Sequence, residues 1–234
     1  MKHAAAEVIG EYGPFPGIDN VHGVSFDGRQ LWFASGNRLN ALDPENGRIV
    51  RSLDVAADAG TAFDGKHLFQ ITKAVIQKID PATGEVLGTI PVPGDGAASS
   101  GLAWAEGTLW VGQHRGRRIH QVDPETGTVL RTIESDRFVT GVTWTDGELW
   151  HGTWENETSD IRHIDPETGE VLERLEMPEG KGVSGLEADA GERFFCGGGS
   201  SGTVSVVRRP RGGSGGEGGS RTHRHPARGN WNSS

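Results

Sequence analysis

The amino-acid sequence predicts an all-β fold: a five-bladed β-propeller with four-stranded blades, its N-terminal strand completing the last blade. Two repeated motifs and one leftover strand predict it. A segment of the form Gly-x-x-aromatic, small turn, Leu-aromatic occurs as GVSFDGRQLWF from Gly23, GTAFDGKHLFQ from Gly60, GLAWAEGTLWV from Gly101 and GVTWTDGELWH from Gly141. A degenerate copy, GLEADAGERFF, starts at Gly185. The lead glycines lie 37, 41, 40 and 44 residues apart, a blade-sized period. A second motif follows in four units: LDPENGRIV from Leu42, IDPATGEVL from Ile79, VDPETGTVL from Val122 and IDPETGEVL from Ile164.

Each unit, starting near residues 21, 58, 99, 139 and 183, reads as four strands. In the first, VHGVSF is strand one, and the Asp-Gly turn returns the chain into QLWFAS. RLNALD is strand three, and the Asp-Pro turn leads into RIVRSLDV. In that turn proline suits position i+1, the aspartate accepts a backbone N–H, and glycine supplies a positive φ. The alternating acids of an EF-hand are missing, so the motif is turn chemistry and not a calcium loop. Trp32, Phe69, Trp110, Trp150 and Phe195 share one position and are expected to pack between blades. The last unit offers VSGLEAD, RFFCGG and TVSVVRRP and then runs out, while AEVIGEYG from Ala6 is spare. Pairing that strand into blade five removes two exposed edges. Residues 1–210 are therefore expected to form the propeller. The segment 211–234, rich in Gly, Ser and Arg without an apolar period, is expected to be a disordered tail.

Composition limits the function. The chain has 234 residues, 34% hydrophobic and 24% charged, in the range of a folded domain. The net charge of −9 disfavours phosphate backbones and anionic membranes, so neither nucleic acid nor membrane is an expected partner. Without a long apolar run or a cleavage region near the start, a cytoplasmic monomer is expected. The single cysteine, Cys196, excludes an intramolecular disulfide. A buried space-filling thiol is the simpler reading of it than a nucleophile. GGGSSG lacks the lysine and helix of a phosphate loop.

Loops entering strand one and leaving strand two carry nearly all the irregularity, and function concentrates in such loops. Before the lead glycines stand His22, Ala59, Ser100, Thr140 and Ser184, so His22 is the exception at the axial mouth. After the strand-two aromatic stand Phe33, Gln70, Val111, His151 and Cys196; Gln70 and His151 are polar where an apolar residue belongs. They are expected to reach the channel or a buried partner. Just beyond come Lys73, His114, Arg115, Trp154 and Glu155. Together these residues offer a base (His114, His151 or Glu155), an anion contact (Lys73, Arg115) and an aromatic wall (Trp154), with His22 and Gln70 as further ligand contacts. No cofactor is expected, although His22, His114, His151 and Glu155 are ligand types that a divalent metal would accept.

The stretch LWHGTWENETSDIRHIDPETGEVLERLEMP, Leu149 to Pro178, resembles a blade of the plant and bacterial glutaminyl cyclotransferases, in which tryptophan follows strand two and Ile-Asp-x-x-Thr-Gly follows strand three. The resemblance spans about 1–210 and implies a five-bladed propeller with Trp154 in its site. Where that family carries Gln-Gly-Leu and Glu-Ser-Thr-Gly, this chain has NVHGVSF and LWFASG, placing Phe33 where the proton-handling glutamate would be. More loosely the repeats resemble streptogramin B lyases and YncE-like propellers. The lyases are seven-bladed and use a histidine base with magnesium, a role that His114 or His151 would take here. The expected function is binding of a small molecule or peptide end at the loop-rich mouth, with cyclotransferase- or lyase-like catalysis open to it. The competing reading is a non-catalytic protein-interaction scaffold.

Overall fold

The computed structural model describes residues 1–73, 75–94 and 99–210. The segment 211–234, read above as a tail, lies outside them. The described residues form strands only, in five sheets. Two strands precede the repeats, β1 (Lys2–Ala5) and β2 (Val8–Tyr12). Blade one is β3 (Val24–Phe26), β4 (Leu31–Ala34), β5 (Leu39–Asp43) and β6 (Arg48–Leu53). Blade two is β7 (Thr61–Phe63), β8 (Leu68–Ile71), β9 (Val75–Ile79) and β10 (Val86–Pro91). Blade three is β11 (Ser99–Ala105), β12 (Thr108–Gln113), β13 (Arg118–Val122) and β14 (Val129–Glu134). Blade four is β15 (Val139–Thr145), β16 (Glu148–Thr153), β17 (Asp160–Ile164) and β18 (Val171–Glu176). Blade five is β19 (Gly185–Ala188), β20 (Arg193–Gly197) and β21 (Val204–Arg208), completed by β2, which runs antiparallel to β21 from Val8 opposite Val207 to Tyr12 opposite Val204. The closure predicted from the spare N-terminal strand is therefore present.

The extreme N-terminus holds a strand that the repeats do not announce. β1 pairs in parallel with β18 on the outer edge of blade four, Lys2 opposite Glu173 and Ala5 opposite Glu176. Ala6 donates its N–H to the Glu176 carbonyl at 2.7 Å before the chain crosses into blade five. One arm thus spans two blades. Its side chains are exposed, which is why no apolar alternation marked it.

The turn chemistry matches its reading. Asp165 accepts N–H bonds from Glu167 (2.7 Å) and Thr168 (2.9 Å), and Gly169 closes the hairpin at a φ of +76°. Asp43, Asp80 and Asp123 repeat this in the other three turns.

The ring is held by five apolar clusters, one at each blade interface. Each strand-two aromatic points to the following blade. Trp110 stacks on Trp144 at 5.4 Å, Phe69 on Trp104 at 5.3 Å, and Phe195 lies 5.9 Å from Phe26. That explains the Gly-x-x-aromatic motif: its aromatic is the next blade's half of the contact. The degenerate fifth copy has Ala188 there, and Trp150 meets Phe194 instead, at 5.1 Å. Burying one such ring removes roughly 150–250 Å² from water, about 4–6 kcal/mol as an upper bound.

The lead glycines make the innermost contact. A Cβ on Gly23 would lie 2.6 Å from the Thr61 nitrogen, and one on Gly185 would lie 2.8 Å from that of Val24. Gly60, Gly101 and Gly141 meet the following blades in the same way. Around the axis, backbone therefore packs on backbone, and only glycine fits.

Candidate functional site

Immediately on one side of this glycine ring lies a cavity of about 620 Å³. His22, Ala59, Ser100, Thr140 and Ser184, the residues preceding the five lead glycines, all line it. Every blade contributes to this cup because the repeat puts one residue per blade there. The remaining wall comes from irregular loops: Asp58, Ser99, His114, Trp154, Gly180, Gly182, Val183 and the glycine- and serine-rich stretch 198–201.

Hydroxyls stitch the rim together. The Ser184 hydroxyl lies 2.7 Å from the Val21 carbonyl and 2.8 Å from that of Gly197, and accepts the Gly199 N–H at 3.0 Å. Ser100 donates to the Val139 carbonyl across the next interface at 2.8 Å. The buried hydroxyls of Ser99 and Thr140 have no hydrogen-bond partner among the described residues, which leaves polar capacity at the cup wall.

His22 and His114 both titrate below the ordinary imidazole range, chiefly because burial disfavours the charged ring. Asp58 partly opposes this for His22, and Arg115 adds to it for His114. The His114 ring stacks on Phe138 at 4.7 Å, and the Arg117 guanidinium also covers that phenyl, 4.7 Å from its centroid. Trp154 is 37% exposed, and its ring rests over Gly182, where a Cβ would meet it at 3.5 Å.

His22, His114 and Trp154 are thus brought together, and the other candidates are not. Residues following the strand-two aromatic face the preceding blade rather than the axis. His151 is accordingly buried between blades three and four, and burial pushes its pKa down to about 4. Gln70 is a satisfied core amide: its oxygen accepts the Thr61 hydroxyl at 2.6 Å, and its nitrogen donates to the carbonyls of Ala59 (3.0 Å) and Ile71 (2.9 Å). It steadies a cup residue without entering the cup. Phe33 at the equivalent position stacks on Phe15 at 4.8 Å. Cys196 is fully buried, which raises its thiol pKa and removes it as a nucleophile.

Glu155 is tied up outside the cup, paired with Arg117 and, at 3.8 Å, with Arg137. Behind it Asp160, fully buried, holds Arg162 at 2.9 Å, Arg174 at 2.8 Å and Arg137 at 3.2 Å. That network fixes the blade-four loop and supplies no free base. Lys73 and Arg115 are exposed and do not line the cavity, so the expected anion contact is absent from it. Among the described residues, no three His, Cys, Asp or Glu side chains are grouped to hold a metal ion. With His151 and Glu155 outside the cup, the four-residue metal set is not assembled.

Two acids were missed. At the second residue before each lead glycine stand Val21, Asp58, Ser99, Val139 and Val183, so Asp58 breaks the repeat as visibly as His22 does, one step earlier. Glu187 lies on the other side of the glycine ring, two residues after a lead glycine, where the other blades place Ser25, Ala62, Ala103 and Thr143. Its carboxylate accepts the hydroxyls of Thr143 (2.6 Å) and Ser25 (3.0 Å) and the Ala188 N–H (2.9 Å), joining blades four, one and five. The residue retains some accessible surface along the axis, yet the surrounding inner strands exclude enough water to raise its pKa.

A family model described as outer membrane protein assembly factor BamB, a propeller family, matches residues 72–215. The chain belongs to that family. Among solved structures the chain is similar to Myxococcus xanthus glutaminyl cyclase, with a TM-score of 0.71 and 19% identity over 88% of this chain and 97% of that one. It is also similar to U3-55K, at a TM-score of 0.55 and 10% identity over 87% and 100% of the two chains. A chain of the mitotic checkpoint complex gives 0.51 and 17% identity over 80% and 61%. No curated protein matches its sequence. At these identities the structural likenesses establish the propeller fold, and the residues of the cup have to speak for the chemistry.

Proposed function

We propose that the cup binds a small molecule or the end of a peptide through a positively charged amine. The observation that carries this reading is the charge of the lining. Among the described lining residues Asp58 is the one formally charged side chain, and no lysine or arginine is present. With both histidines held below their usual pKa, the cup is net negative near neutral pH. A carboxylate attracts an ammonium, and an indole such as Trp154 adds roughly 0.5–2 kcal/mol when a cation lies over its face.

A cyclotransferase-like reaction is the chemistry we favour. There the bound ammonium first loses one proton, the freed amine attacks a side-chain amide carbon, and its nitrogen gives up a second proton as ammonia leaves carrying one. Neutral His22 or His114 is suited to take the first proton. Phe33, buried against Phe15 in place of the resembled family's glutamate, takes no part.

The test is calorimetric titration of a glutamine-initiated dipeptide and its N-acetylated form, alongside an ammonia-release assay. Acetylation is expected to weaken binding at least tenfold. Equal affinity for both peptides overturns the amine reading. Absence of binding by either favours the protein-interaction scaffold.

A further inference from the structure

A second cavity, of about 260 Å³, lies between blades three and four, separate from the cup. Ile119, Ile133, Ile164 and Val171 form apolar walls, and Asp136 lies at its edge, paired with Arg162. His151, 1% exposed, lines it as well. The Nδ1 of His151 lies 3.1 Å from the Gly152 carbonyl, so that nitrogen carries the proton and donates it. Nε2 is then a lone-pair acceptor with no protein partner among the described residues. The equivalent positions show what a purely structural residue does here. Phe33, Val111 and Cys196 fill the space with apolar atoms, and Gln70 satisfies every polar atom internally. Only His151 keeps an open acceptor, and it does so where the packing leaves a void.

We propose that this interblade cavity is a binding site for a small, largely apolar molecule carrying one hydroxyl, of the size and class of a phenol, whose O–H donates to His151 Nε2. The volume is adequate, since an apolar cavity of about 150 Å³ suffices for benzene. The chemistry is specific. A neutral imidazole acceptor calls for a donor, and an ionised carboxylate or phosphate has no proton to give it.

The experiment titrates phenol, toluene and benzoate into the full chain by calorimetry, with the imidazole nitrogens of His151 followed by NMR. Phenol is expected to bind and to shift the Nε2 resonance. Toluene should bind about tenfold more weakly, the cost of one hydrogen bond, and benzoate not measurably. His151→Phe, which fills the void as Phe33 fills its own, should abolish phenol binding while leaving the cup ligand's affinity unchanged. If that variant fails to fold, Val171→Phe fills the same cavity from another lining position. Equal affinity for phenol and toluene, phenol binding retained in whichever variant folds, or no phenol binding up to its solubility limit would each overturn the proposal.

Discussion

The cup and the blade three–four cavity are both built by the repeat, one at the axis and one between two sheets, and they come out differently. At the cup, five equivalent residues converge because each precedes a glycine that holds two blades in backbone contact. The site is the sum of the repeat, and its chemistry comes from the exceptions, His22 and Asp58. Between blades three and four, one residue departs from a position that four other blades fill or satisfy. Convergence there comes from an interface and not from the axis. A residue that breaks a repeat is therefore only half-interpreted until the direction of its position is known.

The largest expected effect tests the glycine ring on which the cup depends. A Cβ on Gly141 would fall on the Leu186 backbone nitrogen and lie 2.6 Å from the Leu186 Cβ. Backbone cannot yield as a side-chain tip can, so Gly141→Ala is expected to cost more than the usual ~1–3 kcal/mol of overpacking. Loss of cooperative thermal unfolding is the predicted outcome. Gly147→Ala is the control: it meets open space, and its positive φ of +80° alone should cost about 1 kcal/mol. If the two variants unfold alike, the ring does not close the propeller and the cup has lost its frame.

The comparison also explains what was legible in the sequence. Blade number, strand order and the closing strand Val8–Tyr12 could be read because glycine, Asp-Pro turns and paired aromatics recur at fixed intervals. β1 could not, since Lys2–Ala5 is exposed and pairs through backbone alone. His22, His114 and Trp154 were recognisable as irregularities near the axis. For Gln70 and His151 the polarity left two outcomes open, channel or interior, and the interior holds because alternation along the strand turns that position toward the preceding blade. Glu155, by contrast, was misjudged. Its partners Arg117 and Arg137 are 38 and 18 residues away, and no local pattern links them.

A smaller effect should separate His151 and Glu187 by sign. His151 titrates near 4 folded and near 6.5 when unfolded. Its contribution is present above pH 6.5 and lost as pH falls toward 4, because the unfolded chain takes a proton the folded one refuses; the full span is about 3 kcal/mol. Glu187 behaves oppositely. With its pKa raised above 4.5, its contribution is present below that pH and lost as pH rises through the raised value. Urea unfolding from pH 4 to 8 should show the acid-side loss flattened in His151→Phe and the opposite slope flattened in Glu187→Gln. The depressed carboxylates Glu11, Asp64, Asp123, Asp160 and Asp165 act below about pH 4.5, at the foot of this window. The depressed imidazoles His22, His114 and His120 share the acid-side loss, so each variant is read as its difference from the parent curve. Curves parallel to the parent in both variants would mean that neither group is held as the structure places it.

The smallest effect on stability should come from the residue that matters most to the cup. Asp58 lines the cavity but makes no hydrogen bond or ion pair among the described residues, so Asp58→Asn should change unfolding free energy by no more than about 0.5 kcal/mol. The same substitution removes the cup's formal charge while keeping its shape. Binding of an amine-bearing ligand is expected to weaken about tenfold, with the His22 pKa falling further as the carboxylate's support is withdrawn. A cup built by the repeat and given its chemistry by exceptions should lose affinity here and keep its fold. Should stability fall while affinity holds, Asp58 is part of the frame, and the line drawn between frame and exception is in the wrong place.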